Sequence, residues 1–335
     1  MASVVFYCHD TLANILSMEY YRQDIEALKA LGHDVVICNR YRDIPSRFDV
    51  IFVWWWTYAL IPVLVARLLG RVCVVTGVYN FRFDTQLHGA DYFGRPWHQR
   101  LLIRLATKFA NANLFVSERE FREVPGHFRL RCAHYFPCAV SEEYFAPRSR
   151  LSDRSGLLNI AWSGSDNLRR KGVWDILDAM ALLKERGMTV KLTLAGKRGD
   201  GYSALQARIE GLGLRDQVEL VGEVSAEEKL RLLSESKLYL QPSYFEGFGL
   251  ATAEAMAAGC CAITCDVGEV RSVVGDAAFY VQPGRPDQLA DAVQILFSDQ
   301  AAVDKFASSG AARIRDLFSF ERKVATLRMV LRDVA

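Results

Sequence analysis

From Lys237 to Cys265 the chain reads KLYLQPSYFEGFGLATAEAMAAGCCAITC. KLYLQPS has the character of a strand that ends near Pro242. A loop holding Glu246, Gly247 and Gly249 follows. LATAEAMAAG reads as a helix that begins near Leu250 and stops at Gly259, and CAITC reads as the next strand. Strand, loop, helix and strand in that order are the repeating unit of a parallel α/β layer.

The same plan extends outward in both directions. Upstream, LLNIAW, VKLTLAG and QVELVG read as strands. After Lys171-Gly172, the residues Val173, Ile176, Leu177, Met180 and Leu183 mark one face of a helix. Ser225 to Glu228 forms a capping box that opens a helix running to about Ser234. In the first half, SVVFYC, DVVIC, DVIFVWW, RVCVVT and ANLFVS read as strands, and Ser17 to Leu31 as a helix stopped by Gly32. The polar stretch FAPRSRLSDRSG, Phe145 to Gly156, reads as a connector. A chain of 335 residues fits two domains. The expected division is 1–150, 151–320, and a C-terminal helix 321–335 packing back on the first domain. The expected fold class is α/β, with two Rossmann-like domains whose parallel sheets face each other across a cleft. Ligands of such sheets sit at the carboxyl ends of the strands.

Composition narrows the partners. Forty-one basic and 39 acidic residues give a net charge of +2, which argues against nucleic acid as the main partner. Anion sites must therefore be local. None of the eight cysteines lies in a CxxC pair, and several fall inside apolar runs, so they read as free core thiols rather than a disulfide or zinc framework. The start, MASVVFYCHD, lacks the basic region and cleavage site of a signal peptide and reads as a first strand. These features point to the cytoplasm. Ile51 to Leu69 has the length of a membrane span, but Pro62 interrupts it and Arg67 charges it. A strand followed by a helix opened at Thr57 is the better reading. Trp54, Trp55 and Trp56, with the Arg-rich tract from Arg95 to Lys108, keep open a peripheral contact with the inner face of a membrane.

The loop between Gln241 and Gly259 carries the most chemistry. Two glycines allow a ligand close to the backbone, and the following helix start offers unpaired N–H groups to a phosphate. Glu246 stands before this nest and Glu254 within the first turns of the helix. Carboxylates on either side of a phosphate site suit hydroxyls at both ends of a ligand, the shape of a nucleotide sugar. A second block, GSDNLRRKG from Gly164 to Gly172, is a flexible basic loop after a strand, suited to reach phosphates from the other side.

EGFGLATAEAMAAG resembles the signature of the family-4 retaining glycosyltransferases, among the group 1 glycosyltransferases, whose fold is called GT-B. Glu246 and Glu254 have the spacing of that family's two glutamates. The resemblance implies that Glu246 binds the donor sugar's hydroxyls and Glu254 the ribose. It implies that the backbone at Gly247, Phe248, Gly249 and Leu250 holds the diphosphate. Lys171-Gly172 matches the family's Lys-Gly, with the lysine on the diphosphate. Where many members carry an arginine about six residues earlier, this chain has Ser165, beside Gly164, and Arg170 is the candidate for the arginine's role. The closing stretch FPCAVSEEYFAPRS, with Val140, Phe145 and Pro147, also fits. The implied activity is transfer of a sugar, with retention, from a nucleoside-diphosphate sugar, UDP or GDP foremost, to a carbohydrate or lipid-linked acceptor, as in polysaccharide biosynthesis. No cofactor and no metal is expected, since no DxD-like pair is placed to hold one.

The first half departs from the family. HDTLANILSMEYY follows the first strand without a glycine pair, and VVTGVYNFRFD, Val74 to Asp84, lacks the family's histidine. In a front-face retaining mechanism the departing phosphate can take the acceptor proton, and catalysis rests on placement and charge stabilisation. Candidates for acceptor contact are Tyr79, Asn80, Arg82, Asp84, His88, Asp91 and Tyr92, with His9 past the first strand. The missing histidine also motivates a second reading, a non-catalytic nucleotide-sugar-binding or scaffolding protein on the same fold. An epimerase or phosphorylase is a third.

Overall fold

The computed structural model describes residues 2–82, 91–146 and 149–334. The chain divides into two compact units, Met1–Ala139 with Phe318–Ala335, and Val140–Leu317.

The first unit is built on six parallel strands: β1 Ser3–Cys8, β2 Asp34–Cys38, β3 Val50–Trp54, β4 Val72–Gly77, β5 Ala112–Phe115 and β6 Ala133–Tyr135. Their spatial order is β2-β1-β3-β4-β5-β6. Val4 pairs with Val35 on one side and Val50 on the other. Every residue of β3 and β5 is buried, as expected when helices cover both faces of a parallel sheet. Ile51 to Leu69 resolves into β3, a tight turn at Trp56–Tyr58 and a helix at Leu60–Leu68. No helix among the described residues is long and apolar enough to cross a membrane. Thr57 does not cap that helix, which starts from Ala59 without a side-chain cap; its hydroxyl instead accepts from Arg95 Nη1 at 3.2 Å. Trp54 and Trp56 are buried, and each indole N–H is satisfied, the first by Asp24 Oδ2 at 2.8 Å and the second by Asn113 Oδ1 at 2.9 Å.

The helix Phe320–Val334 packs on the helix Glu19–Ala30 within this unit. Its anchor is Lys323, whose Nζ lies 2.7 Å from Asp24 Oδ1 and donates to the Pro137 carbonyl at 2.9 Å. Both partners are buried. The Asp24 pair is an ion contact rather than an aligned hydrogen bond, because Oδ1 accepts none.

The second unit holds β7 Ser155–Ile160, β8 Leu192–Ala195, β9 Val218–Gly222, β10 Ser236–Gln241, β11 Cys261–Cys265 and β12 Phe279–Val281. Their order is β12-β11-β10-β7-β8-β9, all parallel. The chain leaves β7 toward β8 and later returns to place β10 on the other side of β7. That reversal opens a crevice at the carboxyl ends of β7 and β10. Leu157, Leu238 and Cys261 fall in register across the centre and join one apolar core with Ile176, Leu177 and Val293. Ser225 caps the helix Ala226–Glu235 by accepting from the Glu228 N–H. None of the eight cysteines is in a disulfide, and only Cys132 is less than buried. The stretch from Phe145 to Gly156 lies within this unit: Arg154 is buried, and Ser149 donates to the Ser234 carbonyl.

Candidate active site

The crevice between β7 and β10 receives both sequence blocks. After β7, Gly164 starts a short helix, Ser165–Arg170, where the sequence suggested a flexible loop. The helix forms because Asp200 Oδ1 accepts from the Ser165 N–H at 2.8 Å, satisfying one of the open donors at its start. Gly164 lies under the Trp162 ring, and a Cβ there would stand 2.8 Å from it. Lys171 follows as the cap. Gly172 then takes a left-handed conformation, φ +65°, to open the next helix, Val173–Glu185. A side chain at Gly172 would bring its Cβ within 2.2 Å of the Pro242 carbonyl. The Tyr244 N–H donates to the Arg170 carbonyl at 2.8 Å. The two loops are thus bonded backbone to backbone.

These contacts deliver Lys171 to Glu246. Lys171 Nζ donates to Glu246 Oε1 at 2.6 Å, and Ser243 Oγ donates to the same oxygen at 2.8 Å. Arg170 Nη1 faces Oε2 at 3.7 Å, beyond hydrogen-bonding reach, while its fork is held by the Phe245 carbonyl at 3.2 Å and Asn167 Oδ1 at 2.7 Å. Oε2 is therefore the less committed oxygen. Glu246 is 4% exposed. Burial alone would push its carboxyl up, but the charges of Lys171 and Arg170 outweigh that and hold it below the ordinary carboxylate range. One carboxylate against two cations leaves a local excess of positive charge.

A relay of side chains supports Glu246 from the strand. Tyr239 OH donates to Gln241 Oε1, Gln241 Nε2 donates to Ser243 Oγ, each at 2.8 Å, and Ser243 passes on to Glu246. Residues 239, 241 and 243 follow the two-residue period that puts strand side chains on one face. Their roles were missed in the sequence, although that alternation was there to be read. Burial first, then the charges of Glu246 and Glu254, push the Tyr239 phenol well up, so both glutamates act on one buried hydroxyl.

Gly268, φ +54°, closes the loop from the far side; a Cβ there would lie 2.0 Å from the Glu246 carbonyl, which also accepts from the Glu269 N–H at 3.1 Å. Gly247 and the buried Phe248 complete the turn. Gly249, φ +87°, then starts the helix Leu250–Ala257 with no side-chain cap. The Leu250 end therefore directs main-chain donors and a positive dipole end outward. Thr252 Oγ1 is buried in that first turn without a hydrogen-bond partner. Glu254, 3% exposed, carries Lys229 Nζ at 2.5 Å on Oε2. Lys229 projects from the helix Ala226–Glu235, and its part was not legible from sequence spacing.

In this unit, then, an uncapped helix start, a lysine–glutamate pair and a second buried glutamate gather at the switch point of a doubly wound sheet. With the six-stranded sheet of the first unit, the architecture is settled. The fold is GT-B. The whole chain superposes on the sucrose-phosphate synthase of Thermosynechococcus elongatus with a TM-score of 0.77, covering 99% of each chain at 18% identity. It superposes on Anabaena HepE in complex with UDP with a TM-score of 0.78, covering 99% of this chain and 100% of that one at 16% identity. Residues 162–313 match the family model described as Glycosyl transferases group 1. Curated relatives are glycosyltransferases. The alpha-D-kanosaminyltransferase of Streptomyces kanamyceticus is 28% identical over 270 residues, 76% of this chain and 68% of the relative. A phosphatidyl-myo-inositol mannosyltransferase of Mycobacterium leprae is 26% identical over 225 residues, 66% of this chain and 56% of the relative. The match to an MMP alpha-(1->4)-mannosyltransferase of Mycolicibacterium hassiacum spans 46% of that protein.

In the first unit, two acceptor candidates prove to be core. Tyr79 and Tyr92 are buried, and the carboxylate of Glu120 holds the Tyr79 and Phe81 N–H groups at 2.8 and 3.1 Å. Arg82 lies over the rings of Phe81 and Phe93, and Asp91 accepts from the Gly94 N–H at 2.9 Å, so both have local structural work. Asn80 adopts φ +56°. Asp84 and His88 lie outside the described residues. His9 is exposed just beyond the carboxyl end of β1, stacked on Tyr58 with ring centroids 4.3 Å apart.

Proposed function

We propose that this chain is a retaining glycosyltransferase that moves a sugar from a nucleoside-diphosphate sugar to a carbohydrate or lipid-linked acceptor without a metal ion. The observation that carries this reading is the Lys171–Glu246 pair, 2.6 Å apart, beside an uncapped helix start at the sheet's switch point.

Each group then has a task. The first-turn amides of the helix Leu250–Ala257, from the Phe248–Leu250 turn onward, and the Thr252 hydroxyl receive the diphosphate. Lys171 sits between that anion and Glu246. It stabilises negative charge on the departing phosphate, as a fixed donor in a partly dry site does most effectively. Arg170 adds a second cation, held in place by the Phe245 carbonyl and Asn167. Glu246, kept ionised by these neighbours, accepts hydrogen bonds from the sugar hydroxyls through Oε2. Glu254, with Lys229 fixing one oxygen, accepts from the ribose. Gly164 and Ser165 bring the basic segment up to the phosphates. The departing phosphate takes the acceptor's proton, so the front-face route needs no side-chain base from the first unit.

UDP, named with HepE, puts UDP-sugars first among donors to test, with GDP-sugars beside them. Nucleotide release is measured with UDP-, GDP-, ADP- and dTDP-sugars, with and without a crude glycan and lipid extract, for the native chain and Glu246→Ala. Release from one donor, reduced about a hundredfold or more in the variant, supports the assignment. Tight nucleotide binding without release from any donor supports the non-catalytic binding protein instead. Release of sugar phosphate that requires inorganic phosphate identifies a phosphorylase.

A further inference from the structure

The first unit carries a surface that its fold does not use. On the helix Leu60–Leu68, Pro62, Val63 and Ala66 face the core. Ile61, Leu64 and Leu68 form a second apolar stripe, exposed by 47%, 40% and 86%. The helix Trp97–Phe109 packs beside it. That neighbour exposes Trp97, Leu101 and Leu102, and bears Arg100, Arg104 and Lys108 with no carboxylate in its sequence. Large apolar side chains on two adjacent helices whose own charged residues are all cationic are the composition of a membrane-surface element.

A cavity of about 430 Å³ opens at the same helix. Arg100, Arg104 and His127 line it together with Trp97, Tyr92 and Phe128. Among the described residues neither arginine is paired with a carboxylate. The Tyr92 hydroxyl donates to the Arg100 carbonyl at 3.4 Å, and burial pushes its phenol up against the pull of Arg104 and Arg100. Arg104 also lies over the Phe128 ring at 5.8 Å. Two unpaired guanidinium groups in an aromatic-walled cavity suit a phosphoryl group attached to an apolar body.

We propose that the helices Leu60–Leu68 and Trp97–Phe109 dock this protein on an anionic phospholipid bilayer, with Arg100 and Arg104 taking a lipid phosphate at the cavity. The triple tryptophan is not part of this surface, because Trp54 and Trp56 are core residues. Trp97 and Leu101 enter the headgroup boundary, and the cations meet the negative surface potential.

The test is flotation of the full chain with phosphatidylcholine vesicles, with and without phosphatidylglycerol, for the native protein, Trp97→Ser/Leu101→Ser and Arg100→Gln/Arg104→Gln. Flotation reads binding alone, so its failure leaves the sugar-transfer reading standing, and the reverse also holds. Expected are binding that requires phosphatidylglycerol, about tenfold weaker partition for the arginine variant and loss for the apolar one. Unchanged melting of these exposed-site variants ties the losses to the surface. No flotation of the native chain, or equal flotation of all three proteins, overturns the proposal. Binding of glycerol phosphate by a native chain that does not float overturns it too, and would make the cavity a site for a soluble phosphate ester.

Discussion

Glu246 combines deep burial with a depressed carboxyl, and the two pull in opposite directions. Burial raises the pKa of an acid, so the ionised form depends on Lys171 and Arg170. In Lys171→Met, burial regains its hold and the carboxyl titrates higher. We expect the acid limb of kcat/KM against pH to move to higher pH in that variant, with kcat reduced at every pH. An unmoved limb would mean that Glu246 does not set it. The same linkage acts on stability. A carboxyl whose folded pKa lies below its unfolded value, about 4.3 for glutamate, stabilises the fold fully above that value. The contribution disappears as pH falls through the folded pKa. Melting of the native chain should therefore fall more steeply below about pH 4 than that of Glu246→Gln; parallel melting curves would contradict the assignment. Glu246 and Lys171 were legible as residue types at a spacing. Their 2.6 Å contact was not, because 75 residues separate them and only the order of β7 and β10 joins them.

Elements place these residues by backbone contact. Gly172 and Gly268 each sit at positive φ with a carbonyl where a Cβ would go, Pro242 in one case and Glu246 in the other. Gly172→Ala must shift the turn that carries Lys171, and a strained non-glycine residue there costs on the order of 1–3 kcal/mol. We expect lowered melting together with a larger loss of turnover than of nucleotide affinity, read by calorimetry beside the release assay. Full activity in Gly172→Ala would show that the turn has freedom to move. Glycine at 259 announced the end of its helix in the sequence, because a left-handed stop has few alternatives. The helix Ser165–Arg170 was not announced: its start depends on Asp200, a residue 35 positions away. The Tyr239–Gln241–Ser243 relay lay in plain alternation, yet alternation alone does not say that the face ends at a glutamate.

For the molecule, the terminal helix is secured to the first unit by one buried ion pair. Lys323 and Asp24 are 3% and 0% exposed at the side chain, and burial pushes the Asp24 carboxyl up against the pull of Lys323. Removing one partner leaves an uncompensated buried charge, so Lys323→Ala should cost about 3–5 kcal/mol. The paired replacement Asp24→Leu/Lys323→Met should recover much of that loss in chemical denaturation. A small cost in the single variant would show that the helix is held by apolar contacts such as Leu327 and Val330. Because each unit has its own core, the loss belongs to the unit that contains this pair.

The alternation of strand and helix, the glycines that stop and open helices, and the two blocks of glycine, glutamate and basic residues follow from the sequence alone. Each of these rests on short-range physics: periodicity of apolar residues, the φ range of glycine, and open amides at a helix start. Tertiary structure decided what depends on strand order and burial. It paired Lys171 with Glu246 and Lys229 with Glu254. It turned Tyr79, Tyr92 and two of three consecutive tryptophans into core. It left Trp97 and Leu101 outside, on a helix whose other face was already filled. A side chain's type is local, but its burial and its partner depend on which distant strand the sheet places beside it.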